Sequence, residues 1–203
     1  MILYNTSFDT PNPWPNLFTD VKLTNIAQLS KGGCLLLWGG EDIWPGYYQQ
    51  SPNMFCFTYK PSPSDLAEVR LLEKAIELGI PIIGICRGAQ WLSIFSGGIL
   101  EQHIEGHCKS HNITLSDEGG VEIRCNSSHH QMMIPPDSAK ILAYSEGVLG
   151  YDQYNEPIKH SKVPEVVWFP SINGLGIQPH PEWSNSPHSF NEYIIRKIKE
   201  YIL

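Results

Sequence analysis

The sequence has no apolar run of the roughly 18 residues that a membrane-spanning helix needs. Its start also lacks a basic segment leading into a short apolar one, so neither a span nor a secretory signal is expected. Positive charge is scarce: 14 Lys and Arg stand against 21 Asp and Glu, a net charge of −7. Nucleic acid is therefore not the expected partner, because phosphate binding needs a basic face, and no membrane partner is expected either. The five cysteines are odd in number and lack a framework spacing, which argues against a disulfide scaffold and for a reducing compartment, the cytoplasm. Internal repeats, linkers and low-complexity segments are absent. The 203 residues, 41% of them hydrophobic, suit one domain, 1–203, with a full core.

What is present is an alternation of strand-like and helix-like segments. Residues 33–38 form a short apolar run that empties into Gly39-Gly40 and predicts a buried strand. Residues 41–63 lack a period and predict a long functional loop. Ser62 has the character of an N-cap, with Pro63 at the first helical position and Asp65 in the first turn. Leu66, Val69, Leu72, Ala75, Ile76 and Leu78 follow at helical spacing, and Gly79 is placed to end the helix. A second strand is expected over 80–85 and a short helix over 87–95. The second half predicts a hairpin from 113–115 and 121–125, strands at 139–144, 165–169 and 174–178, and a closing helix from Ser186. The order describes an α/β fold with a mostly parallel sheet, its functional groups at the carboxyl ends of the strands, and an added antiparallel hairpin region.

Cys86 stands at the turn between the second strand and its helix, with Gly84 and Gly88 two residues to either side. That spacing makes a nucleophile elbow carrying sulfur: the tight turn has no room for Cβ atoms at the glycines, and a thiolate there feels the positive end of the helix dipole. Cys34, Cys56, Cys108 and Cys125 are expected to be ordinary buried thiols. A nucleophile needs a base and an orienting group, and His180 and Glu182, two apart on a strand end stiffened by Pro179 and Pro181, can face the same way. A surface His beside a Glu is the plain alternative.

Three segments, Leu37-Trp38-Gly39-Gly40-Glu41-Asp42, Gly84-Ile85-Cys86-Arg87-Gly88-Ala89-Gln90 and Gly176-Ile177-Gln178-Pro179-His180-Pro181-Glu182-Trp183, together resemble the class I glutamine amidotransferase family over nearly the whole chain. The resemblance implies a flavodoxin-like three-layer sandwich, a Cys86–His180–Glu182 triad, and an oxyanion hole from the backbone N–H groups of Arg87 and of Gly40 or Gly39. Arg87, the segment Asn126-Ser127-Ser128-His129-His130-Gln131 and Trp183 are similar to the branch of γ-glutamyl-γ-aminobutyrate hydrolases. By that similarity Gly39, Gln90, His129, His130 and Gln131 belong to the substrate site. The Arg87 guanidinium is left with two readings, a carboxylate clamp on the leaving group or a structural ion pair. Two departures stand out: Pro179 occupies a position that is often aromatic, and residues 1–31 lack the strand and helix with which such hydrolases usually begin.

The implied chemistry is attack of the Cys86 thiolate on a small-molecule γ-glutamyl amide, a γ-glutamyl thioester, and its hydrolysis to glutamate, with no metal or organic cofactor. Two other classes remain: the glutaminase component of a two-protein amidotransferase with a synthetase partner, and a non-catalytic module on the same fold. His103, His107, Cys108 and His111 cluster within nine residues, and on a helix His103, His107 and His111 would share one face as metal ligands, but Gly106 within the segment and Gly97-Gly98 before it weaken a helix there, so no metal site is expected. The loop segment Trp44-Pro45-Gly46-Tyr47-Tyr48 offers aromatic surface for a leaving group, for a partner, or for packing alone.

Overall fold

Side chains alternate across each buried strand, and in this chain the alternation decides which helix meets which face of the sheet. A computed structural model describes residues 1–7, 12–18, 20–23 and 26–203. The strands are β1 (Ile2–Asn5), β2 (Asp20–Leu23), β3 (Gly33–Leu37), β4 (Ile82–Ile85), β5 (Ile99–Glu101), β6 (His103–Ile104), β7 (His111–Leu115), β8 (Val121–Cys125), β9 (Met132–Ile134), β10 (Lys140–Tyr151), β11 (Pro157–Phe169) and β12 (Gly174–Ile177). The helices are α1 (Pro63–Leu78), α2 (Arg87–Phe95) and α3 (His188–Tyr201). The main sheet runs β2-β1-β3-β4-β12-β11-β10-β7-β8, with β6 also on β10, while β5 and β9 pair separately. Pairing is parallel from β2 to β12 and antiparallel from β12 onward.

Leu36, Ile83, Ile85, Leu175 and Ile177 face α3 and its Phe190, Tyr193, Ile194 and Ile198. Leu35, Leu37, Ile82, Val167 and Phe169 face α1 and α2 through Leu71, Leu72, Ala75, Ala89, Trp91 and Leu92. Helices on both faces of one sheet make three layers. On the α2 side, Gly84 and Gly176 pair in register and leave a floor without side chains. A Cβ at Gly84 would stand 2.4 Å from the Gly88 backbone, and one at Gly88 only 2.7 Å from the Leu37 carbonyl oxygen. The missing atoms let the start of α2 lie directly on the strands.

Helix α1 begins as expected. Asp65 N–H donates to Ser62 Oγ at 3.0 Å and Ser62 N–H donates to Asp65 Oδ2 at 2.9 Å, a reciprocal capping box. Gly79 ends the helix at φ 65°, and the Ile80 N–H bonds back to the Ala75 carbonyl, so Ile80 closes α1 and β4 starts only at Ile82. Leu66 is 50% exposed and Leu71 takes the core position instead.

Three expectations change. The N-terminus does carry a strand, β1, paired with β2 and β3; part of the Pro-rich stretch lies outside the described residues. Strands β10 and β11 extend far beyond 139–144 and 165–169 as a long ribbon, whose outer half is largely solvated and so lacks apolar alternation. Cys108 is exposed, whereas Cys34, Cys56 and Cys125 are buried. Among the described residues no helix is long and apolar enough to cross a membrane.

Gly84→Ala is expected to cost about 3 kcal/mol or more in urea unfolding, because backbone must move, and Gly176→Ala less than half of that, because its Cβ meets Phe169 only at 3.0 Å. Equal losses at the two positions would contradict this account of the floor.

Candidate active site

Cys86 follows β4 at φ 51° and ψ −107°, a backbone conformation that costs a non-glycine residue about 1–3 kcal/mol. The surroundings hold it there. The Cys86 N–H donates to the Ile177 carbonyl at 2.7 Å and the Gly88 N–H to the Trp38 carbonyl at 3.1 Å, which ties the elbow to β12 and to the end of β3. The thiol is thereby presented above the carboxyl ends of three parallel strands.

His180 and Glu182 follow the end of β12. His180 Nδ1 lies 2.8 Å from Glu182 Oε1, and because a carboxylate only accepts, Nδ1 carries the hydrogen and Nε2 is free for the thiol. Burial lowers the His180 pKa, but hydrogen bonds to Cys86 and Glu182 outweigh it and push the value up to about 9. Trp183 stacks on the imidazole at 4.0 Å and 11°. Asn126 grips the same residue from below: its Nδ2 donates to the His180 carbonyl at 2.7 Å and its Oδ1 accepts from the His180 N–H at 3.1 Å. Asn126 stood in the motif without an assigned role. Only the fold brings the end of β8 beneath the His180 segment.

Gly39 and Gly40 sit beside the thiol. A Cβ on Gly39 would lie 3.1 Å from His180 Cε1 and 3.4 Å from Cys86 Cβ, so only glycine leaves the approach open. The N–H groups of Gly40 and Arg87 donate to no other described residue. The Arg87 side chain turns away, is 4% exposed, and forms ion pairs with Asp65 and Glu68 of α1. The structural ion pair is therefore the reading that holds, and a clamp on the leaving group is not available from this guanidinium.

A cavity of about 50 Å³ opens beside Cys86, lined by Gly40, Asp42, Gln90, Ser128, His129, His130 and Gln131. Its members have unequal freedom. Gln90 Nε2 donates to the Gln131 carbonyl at 3.3 Å, and the Gln131 side chain is buried. His130 Nε2 meets Asp42 Oδ1 at 2.9 Å, and this contact raises the His130 pKa. His129 is held through Nδ1 by the Gln131 carbonyl at 2.9 Å, with its other nitrogen directed at Glu165. Asp42 and Ser128 went unremarked as site residues in the sequence, because isolated polar residues in loops carry no spacing signal. The aromatic loop packs inward: Tyr47 meets Trp91 edge-on at 5.0 Å and Tyr48 is buried, so packing is its observed use.

A histidine whose folded pKa is raised from 6.5 to about 9 stabilises the fold fully below pH 6.5, and this contribution is lost as pH rises toward 9. The gap in thermal midpoint between the wild type and His180→Gln should therefore narrow across that interval. A constant gap would show that the imidazolium is not held as described.

Comparison with known proteins places this geometry. The sequence matches the peptidase C26 family over residues 19–182. It is 35% identical over 195 residues to protein NtpR of Enterococcus hirae, covering 82% of this chain and 72% of that one. It is 42% identical over 71 residues to Rv2859c of Mycobacterium tuberculosis, named as a candidate glutamine amidotransferase, covering 34% of this chain and 22% of that one. The matches span 22%, 50% and 27% of the length of the first three curated relatives. A glutamine amidotransferase structure from Thermotoga maritima superposes with a TM-score of 0.60 at 14% identity, covering 98% of this chain and 84% of that one. The chain belongs to the peptidase C26 family, within the class I glutamine amidotransferase-like proteins, and has their flavodoxin-like α/β fold.

Proposed function

We propose that this chain is a cysteine hydrolase of γ-glutamyl amides, a single domain working in the cytoplasm. The observation that carries the reading is the strained Cys86 elbow facing a His180 whose tautomer is set by Glu182. In this reading His180 takes the thiol proton, and Cys86 Sγ attacks the δ-carbonyl of the glutamyl group. The N–H groups of Arg87 and Gly40 receive the oxyanion. The C–N bond breaks as His180 protonates the departing amine. Water then attacks the thioester, His180 takes its proton, and glutamate leaves as the thiol re-forms. The small cavity suits the carbonyl end alone. The Asp42–His130 pair on its rim, with one group of each sign, complements the ammonium and carboxylate of an α-amino acid head. Gln90 and Gln131 shape the floor, and His129 backs it.

A second reading keeps the half-reaction and changes the fate of the nitrogen. The amidotransferase name carried by Rv2859c and by the Thermotoga structure favours a glutaminase component that hands ammonia to a separate synthetase. Glutamine then replaces the γ-glutamyl amine as substrate, and activity depends on the partner.

Glutamate release from γ-glutamyl amines is expected to exceed release from glutamine, and to fall by about 10³-fold or more in Cys86→Ala. Preference for glutamine, with activity rising on addition of a synthetase, would establish the second reading instead. Asn126→Ala is expected to lower kcat about 10²-fold through misplacement of His180, with a smaller change in KM. An unchanged kcat would remove Asn126 from the positioning machinery.

A further inference from the structure

Behind the Cys86 cavity three imidazoles converge on one carboxylate. Glu165, fully buried on β11, has Oε1 at 3.1 Å from His107 Nε2 and 2.9 Å from His111 Nε2, while its Oε2 stands 3.7 Å from His129 Nε2. The other nitrogen of each ring faces a backbone carbonyl: His107 Nδ1 meets Glu105 O at 3.2 Å, His111 Nδ1 meets Lys109 O at 3.2 Å, and His129 Nδ1 meets Gln131 O at 2.9 Å. A carbonyl only accepts, so every Nδ1 carries hydrogen and every Nε2 of a neutral ring offers a lone pair to the carboxylate.

With all three rings neutral, acceptor faces acceptor at three contacts. The Ser145 hydroxyl, 2.8 Å from His107 Nε2 and 2.9 Å from Glu165 Oε1, has one hydrogen and relieves one contact only. His129 Nε2 and Glu165 Oε2 are buried without a hydrogen-bond partner, and 3.7 Å is too long for one. Positive charge at the centre of the cluster, a proton on one ring or a bound cation, would satisfy these acceptors. The donor atoms of His107, His111 and Glu165 lie within 4.8 Å of one another. A tetrahedral zinc ion at 2.0–2.1 Å from its ligands holds donors about 3.3 Å apart, so small side-chain shifts suffice. Imidazoles oriented through Nδ1–H to a carbonyl are also the arrangement that a metal-binding histidine needs. A cavity of about 320 Å³ reaches His107 and His111 and gives an ion a path in.

We propose that His107, His111 and Glu165 form a binding site for a zinc-type divalent cation, with its fourth position open to this cavity. The site stands independently of the reaction at Cys86. It also differs from the helical His103, His107 and His111 arrangement that the sequence suggested and that Gly106 weighed against. The segment is not helical: His107 lies in the connection between β6 and β7, His111 opens β7, and the third ligand, Glu165, comes from β11.

The test is metal binding by the whole chain after EDTA treatment and removal of the chelator. Zn²⁺ is titrated near neutral pH against a chromophoric chelator, and Co²⁺ is followed by its visible absorption. One zinc per chain is expected, weakened by about 100-fold or more in His107→Gln and His111→Gln and unchanged in Cys86→Ala and Cys125→Ser. The Cys125 variant matters because its Sγ lies 3.6 Å from His111 Nε2. Melting of each variant in EDTA shows whether it is folded. Should a histidine variant fail to fold, the wild-type Co²⁺ spectrum decides: intense four-coordinate d–d bands support the site, whereas pale six-coordinate absorption or a thiolate charge-transfer band overturns it. Absence of stoichiometric zinc, binding that survives both histidine substitutions, or binding lost in Cys86→Ala would equally overturn it.

Discussion

The close approach of Gly84 to Gly88 is the constraint on which the site depends. Strand β4 and helix α2 meet with no side chain between them, so the turn that joins them is short and Cys86 is forced to φ 51°. The strain is held by backbone hydrogen bonds to β12 and to the end of β3. The same packing sets the height of the thiol above the sheet and leaves the first amides of α2 beside it. Parallel strands gather Gly39, Cys86 and His180 at one sheet edge because their carboxyl ends lie side by side.

Beside this point lie two further systems of buried charge. On one side Arg87 is neutralised by Asp65 and Glu68, which joins the elbow to α1 through the residue that also caps that helix. Removing one partner from so buried a pair typically costs about 3–5 kcal/mol, since the other charge is left stranded. On the other side Glu165 is surrounded by imidazoles, and His129 belongs at once to that cluster and to the wall of the Cys86 cavity. The antiparallel half of the sheet therefore does more than extend the core: β7 and β11 carry the second cluster up against the first.

Local signals were legible wherever physics acts within a few residues. The Ser62–Asp65 capping box, the Gly79 stop, the elbow and the β7–β8 hairpin all depend on near neighbours, and each lies where the pattern placed it. Cys86, His180 and Glu182 were legible as candidates because one strand-to-helix turn and one stiffened strand end carry them. The β10–β11 ribbon was not, because a solvated strand has no apolar alternation to announce it. Strand β1 was hidden for another reason: unlike the equally short β4 and β12, no flanking glycine or proline stop marks its four residues off from the irregular chain that follows.

The sequence by itself determined the α/β layering, the elbow and the chemistry available to Cys86, His180 and Glu182, because these follow from periodicity, glycine placement and side-chain type over short spans. Tertiary structure alone decided that Arg87 is spent on Asp65 and Glu68, that Asn126 grips the His180 backbone, and that His107, His111 and His129 surround Glu165. Each of these unites residues that lie from 19 to 58 positions apart, and no local rule constrains such distances. Burial then obliges each polar group to find a partner, and which partner it finds is a property of the folded arrangement of strands.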